Sequence, residues 1–119
     1  MKYLLLTLAF LSFNAFAQET WYKYAESDNF FYFAKIESYK STKDGGQFIQ
    51  KIEQKTKTTP EFYLIEMKTK DCNKGYGFVY INSLDEKPVS KLDYVEGGET
   101  IAQKAGDALC ELIKSTKSI

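Results

Sequence analysis

Cys72 and Cys110 are the only cysteines in the chain. In an oxidising compartment an even pair in a small domain reads as a disulfide, with two buried or reactive thiols as the alternative. Closing a loop of roughly 38 residues would restrict the unfolded chain by about 3.9 kcal/mol on the loop-entropy account. Lys68, Lys70 and Lys74 flank Cys72, and Tyr76 follows. Together they suggest a basic contact patch for an acidic partner; solvated strand and turn residues would give the same spacing. Asp71 stands near Glu66, and paired carboxylates can do acid–base chemistry. However, the chain has no His, and no nucleophile stands in a recognisable constellation, so a turn aspartate is the simpler reading. Every basic residue is Lys, which removes the bidentate guanidinium fork as well as the commonest metal ligand. The sequence therefore nominates no catalytic residue, no cofactor site and no metal site.

One stretch looks like a nucleic-acid motif. Lys74-Gly75-Tyr76-Gly77-Phe78-Val79-Tyr80-Ile81 fits the RNA-recognition-motif signature at every defined position but the last. In that fold Tyr76 and Phe78 would stack on bases. The motif also requires a helix between the first two strands, and no helical pattern precedes residue 99. The charge is against it too: 16 basic and 16 acidic residues leave no net field to draw a polyanion. A glycine-flanked aromatic strand after a turn is the reading adopted, with no nucleic acid as partner. Trp21, Tyr22 and Tyr24 could form a binding strip, though burial of one face in a core is the default for such residues.

The N-terminus has the three parts of an export signal. Lys2 precedes the apolar run Leu4–Leu11, and Ala15-Phe16-Ala17 is a small-x-small cleavage site before Gln18. The run is too short to span a bilayer, which needs ~20 apolar residues. Removing 17 of the 119 residues leaves 102, one domain with a modest core and no inserted segment. No cysteine sits at the cleavage site, so the expectation is a periplasmic or secreted protein and not a lipoprotein.

The remaining pattern supplies strands and one helix. Trp21–Ala25 and Phe30–Ile36 read as aromatic strands separated by the turn Ser27-Asp28-Asn29. Lys43-Asp44-Gly45-Gly46 is a turn signal, after which Gln47–Thr56 alternates weakly. Phe62–Lys70 follows Pro60, with Tyr63, Ile65 and Met67 on one side. Asp71–Gly75 reads as a polar turn, Tyr76–Ile81 as a strong strand and Val89–Val95 as a last one. Alternation puts Cys72 on the side of Phe62 and Leu64, so the strand must end or bulge before Asp71. From Thr100 the period changes to 3.6. Thr100 and Gln103 make a capping box, and Ile101, Ala105, Leu109, Leu112 and Ile113 fall on one apolar arc with Cys110 at its border.

These features resemble the surface-adhesin E family of small exported bacterial domains. The residues that carry the resemblance are Trp21 with Ala25-Glu26-Ser27-Asp28, Phe31-Tyr32-Phe33, Asp71-Cys72, Tyr94-Val95-Glu96-Gly97-Gly98 and Leu109-Cys110. They are scattered over the whole mature chain. The fold so implied is α+β: a curved antiparallel sheet of about five to six strands, with one C-terminal helix packed on it and pinned by Cys72–Cys110. The function implied is a non-catalytic, adhesin-like binding module that acts through protein–protein contacts, for instance with a host matrix protein. A separate alternative, which the resemblance does not imply, is an inhibitor of an exported enzyme of the protease or lysozyme class. Intact-mass analysis of the exported protein should show a chain beginning at Gln18; recovery of an uncut, membrane-embedded form would contradict the export reading.

Overall fold

The computed structural model describes residues 20–57 and 59–117; the leader and the Ala17–Gln18 cleavage site lie outside them. Six strands follow one another as β1 (Trp21–Glu26), β2 (Phe30–Ser41), β3 (Gly45–Gln54), β4 (Glu61–Lys68), β5 (Tyr76–Asn82) and β6 (Pro88–Val95). They pair antiparallel in sequence order, so β1 and β6 are the two edges of an open sheet. A short helix α1 (Thr69–Lys74) joins β4 to β5, and α2 (Ile101–Lys117) closes the chain. The α+β architecture expected from the sequence is thus the one observed.

Three boundaries differ from the sequence reading, each for a local reason. The second strand runs on past Ile36 to Ser41, across an irregularity between Lys35 and Lys40. Ser38 spans that irregularity: its hydroxyl donates to the Lys35 carbonyl at 2.6 Å and accepts from the Ile49 N–H at 2.8 Å. Gly45 and Gly46 are strand rather than turn, paired with Lys68 and Met67. The fourth strand stops at Lys68, and what read as a polar turn is helix α1, closed by Gly75 in the left-handed conformation with its N–H on the Asp71 carbonyl. A six-residue helix is too short to show a period, so α1 lies before residue 99 without any helical pattern in the sequence. The change from strand to helix also resolves the phase of Cys72, which turns toward the side of Ile65 and Met67.

Burial defines the core on that side. Ala34, Phe48, Ile65, Met67 and Val79 from the sheet meet Ala105, Leu109 and Ile113 from α2. Leu112 is half-buried against the same cluster, whereas Ile101, at the first turn of α2, is half-buried outside it. The capping box forms as the sequence requires: Gln103 N–H donates to Thr100 Oγ1 at 3.2 Å, and Thr100 N–H to Gln103 Oε1 at 3.4 Å. Cys110 is buried rather than peripheral. It is bonded to Cys72 with the Cα atoms 5.5 Å apart, inside the range that a disulfide permits. The Met67 sulfur packs 3.6 Å from Cys110 Sγ and 4.0 Å from Cys72 Sγ, so α1, α2 and β4 meet at three sulfurs. Since disulfide sulfurs carry no proton, these are packing contacts of a polarizable thioether.

A second tie secures α2 at β6. The buried Tyr94 donates its hydroxyl to Asp107 at 2.6 Å, and Gly97 N–H donates to the same carboxylate at 3.1 Å. Gly106 lets the helix approach: a Cβ there would stand 2.4 Å from the Tyr94 ring. Burial first, and the bond to Asp107 second, hold the Tyr94 proton well above the usual tyrosine range. The folded pKa therefore exceeds the unfolded value of about 10, so this contribution to stability is complete below about pH 10 and is lost as the pH rises above it. Thermal unfolding should show a steep fall in Tm above about pH 10 that is shallower in Tyr94→Phe; equal alkaline limbs in the two proteins would contradict this.

Candidate functional site

The helix covers one face of the sheet, and the other face has no second layer among the described residues. Strand register identifies what stands on it. Trp21 and Lys35 are cross-strand partners, as are Lys23 and Phe33, so all four share this side. Phe33, Lys51 and Phe62 form one row across β2, β3 and β4. Glu66, Tyr80 and Lys91 form another across β4, β5 and β6, and Phe78 lies opposite Asp93. The face alternates rings with lysines. Its centre is packed around the buried Leu64, while Phe62, Tyr76, Phe78 and Val95 are exposed.

The lysines do not extend at random into solvent. The Lys51 ammonium lies 4.4 Å from the Trp21 ring centre and 4.8 Å from that of Phe33. Lys23 and Lys55 stand over Phe31 at 5.1 and 5.0 Å. At the other end Lys74 covers Tyr76 at 4.6 Å, Lys91 covers Phe78 at 4.2 Å and Lys68 covers Tyr80 at 5.7 Å. Each such contact at an exposed site is worth ~0.5–1 kcal/mol, enough to bias a flexible stem toward one position. Every ring so covered among the described residues belongs to the uncovered face. Carboxylates share the face: Lys51 also pairs with Glu53 at 3.1 Å, Lys23 and Lys55 both pair with Glu26 at 3.1 and 2.7 Å, and Glu66 and Asp93 stand opposite Tyr80 and Phe78.

An open groove on this face lies beside α1. It has a volume of about 610 Å³ and is lined by Lys68, Lys70 and Lys74, by Tyr76, Phe78 and Tyr80, and by Lys91 and Asp93. It brings together all four residues nominated from the sequence as a contact patch: Lys68, Lys70, Lys74 and Tyr76. It adds Lys91, Phe78 and Tyr80, which sequence reasoning left out. Their signal was present in the alternation of Tyr76-Phe78-Tyr80, but Lys91 joins them only through the pairing of β5 with β6.

Asp71 forms the floor. It is buried, its carboxylate accepts from the Phe78 N–H at 3.2 Å, and Lys74 lies 3.7 Å away. Glu66 is engaged elsewhere, accepting from Asn82 at 3.2 Å, so the two carboxylates are not a proton-exchanging pair. Trp21, Tyr22 and Tyr24 do not form one strip. Trp21 joins the lysine face, Tyr22 pairs with Ala34 on the helix side, and Tyr24 is packed against Phe48 with its hydroxyl accepting from Gln50. The RNA-motif segment is β5 itself, and the helix that such a fold places between its first two strands is absent: a three-residue turn joins β1 to β2. Among the described residues no group of three His, Cys, Asp or Glu side chains could hold a metal ion. No helix of the described residues is long and apolar enough to cross a membrane.

No family model, curated protein or solved structure matches this chain. The functional reading accordingly rests on the surface chemistry above. One feature of the groove floor is directly testable. A Cβ on Gly77 would lie 2.2 Å from Asp71 Cγ. Gly77→Ala should expel the carboxylate, strand the Phe78 N–H and lower stability by about 1–3 kcal/mol in urea denaturation; an unchanged midpoint would show that Asp71 does not hold this turn.

Proposed function

We propose that the chain is an exported, non-catalytic binding module, adhesin-like in action, that makes protein–protein contacts through the uncovered face of its sheet. The observation that carries the reading is the ladder of lysines held over aromatic rings on that face. Aromatic side chains supply large contact area at low entropic cost, and they are enriched where interfaces are strongest. Lysines already biased toward fixed positions lose less freedom when a partner arrives. A protein with an acidic surface is the complementary occupant, and such complementarity raises the association rate and selects partners. The adhesin-like and exported parts of the proposal are taken from the sequence motifs alone. The chain has no His, which removes the commonest general base, and this supports a role without chemistry.

The test is comparative capture with the disulfide intact. Immobilised protein is exposed to periplasmic extract and to host matrix proteins, and three charge-reversed variants run beside it. Lys51→Glu alters one half of the uncovered face, Lys68→Glu with Lys91→Glu alters the other, and Lys104→Glu alters the helix. A captured protein that is lost with the face variants, at unchanged Tm, and is kept with Lys104→Glu supports the reading. A matrix protein so captured specifies adhesion, and a hydrolase specifies inhibition. Retention by every face variant would place the interface elsewhere and overturn it.

A further inference from the structure

The two edges of the sheet differ. β1 is broken by its bulge, whereas β6 pairs with β5 without interruption from Val95, opposite Tyr76, to Ser90, opposite Ile81. The direction of the β6 backbone follows from one bond: the Glu96 N–H donates to the Gly75 carbonyl at 2.9 Å, one step beyond the Tyr76–Val95 pair. Antiparallel residues alternate between hydrogen-bonded and non-hydrogen-bonded pairs, so Ser90, Leu92 and Tyr94 also turn their N–H and C=O toward β5. Lys91, Asp93 and Val95 turn theirs outward, and the Val95 carbonyl is met there by the Gly98 N–H at 3.0 Å. Among the described residues no strand lies beside the outward groups of Lys91 and Asp93. Tyr94 is the one buried residue of β6, and Leu92 and Val95 are exposed.

We infer that β6 pairs antiparallel with β6 of a second copy of this chain, about a two-fold axis at Leu92. A ladder forms only where outward residues face outward residues, which restricts the pairing to registers centred on one residue. Centred on Lys91 it sets ammonium against ammonium, and centred on Asp93 it sets carboxylate against carboxylate; like charges directly opposite are destabilising. Centred on Leu92 it sets Lys91 opposite the second copy's Asp93, twice by symmetry, with Leu92 opposite its own equivalent. In that register Lys91 and Asp93 form the hydrogen-bonded pairs, so the outward N–H and C=O of both residues are all taken up. Neither charge has an ion-pair partner within the chain among the described residues. A lone edge lysine guards against strand addition. Here the aspartate two residues on lifts that guard for one partner, the same strand reversed. The axis runs through the sheet, so both helices lie on one side and both uncovered faces on the other. A dimer of this kind presents two binding faces together and gains avidity.

Sedimentation equilibrium of the protein, with its disulfide intact, tests this. One strand a side makes a small interface, so association should be weak, with dimer detectable by about 1 mM. Lys91→Glu alone and Asp93→Lys alone should each weaken dimerisation about 10-fold or more at unchanged Tm. Mixed in equal amounts they should recover it to within about 3-fold, because each supplies the charge that the other lacks. Lys51→Glu, on β3 and away from this edge, should dimerise like the parent. Leu92→Cys gives an independent reading of the register. A non-hydrogen-bonded pair on the axis brings its Cα atoms within disulfide range, so this variant should cross-link under mild oxidation, whereas Ser90→Cys, set opposite Tyr94, should not. Monomer at every concentration, single charge variants that dimerise as the parent does, a mixture that stays monomeric, or cross-linking through Ser90→Cys in preference to Leu92→Cys would each overturn the inference. No captured partner enters these measurements, so the dimer and the binding-module reading fall separately.

Discussion

A single α-helix lying on a six-stranded sheet can cover only one of its faces, and this asymmetry governs the rest of the molecule. Sheets are normally buried on at least one side, and a second layer is what makes the arrangement stable. Here α2 supplies that layer against β1, β3, β4, β5 and β6. The helix must therefore be fixed in position, because a domain of about this size has few other contacts with which to offset the entropy of ordering its chain. Two ties fix it. One is the meeting of Met67 with the Cys72–Cys110 bond, and the other is the bond from Tyr94 to Asp107 beside the close approach at Gly106. They lie on different strands, so the helix is held against both translation and rotation.

The same constraint leaves the opposite face without a covering layer. Its aromatic rings cannot all be buried, and each exposed ring costs free energy in water. The lysines lessen that cost by lying across them with their apolar stems while keeping their ammoniums hydrated. A surface built in this way is compatible with solvent and also suited to an acidic protein. Edge β1 is interrupted by a bulge between Lys23 and Ala25 and is thus poorly suited to pairing with another strand.

Much of the fold was legible because its signals are local. Alternation gave six strands, a change of period gave the final helix, and Thr100 with Gln103 marked where it starts. The pair Cys72 and Cys110 was legible from there being two cysteines and no more, one near the end of a strand and one on the border of the helix's apolar arc. What escaped depended on distant residues. Helix α1 is too short for a period, and the Asp71 contact that anchors it exists only when Phe78 returns on β5. The register of Gly45 and Gly46 is set by β4. The candidate site was legible in part for the same reason. Lys68, Lys70, Lys74 and Tyr76 cluster in sequence, but Lys91 enters through strand pairing. The second half of the face, from Trp21 to Lys51, assembles only once β1, β2 and β3 are laid side by side.

The central claim is that the residues of the uncovered face are not retained for stability. Urea denaturation of the double variant Tyr76→Thr/Phe78→Thr tests it most directly, since Thr preserves strand propensity while removing both rings. The account predicts a loss of no more than about 1 kcal/mol, the scale of exposed substitutions. A loss of about 3 kcal/mol or more, the scale of emptying a packed core, would show that this face belongs to the core and would contradict the account.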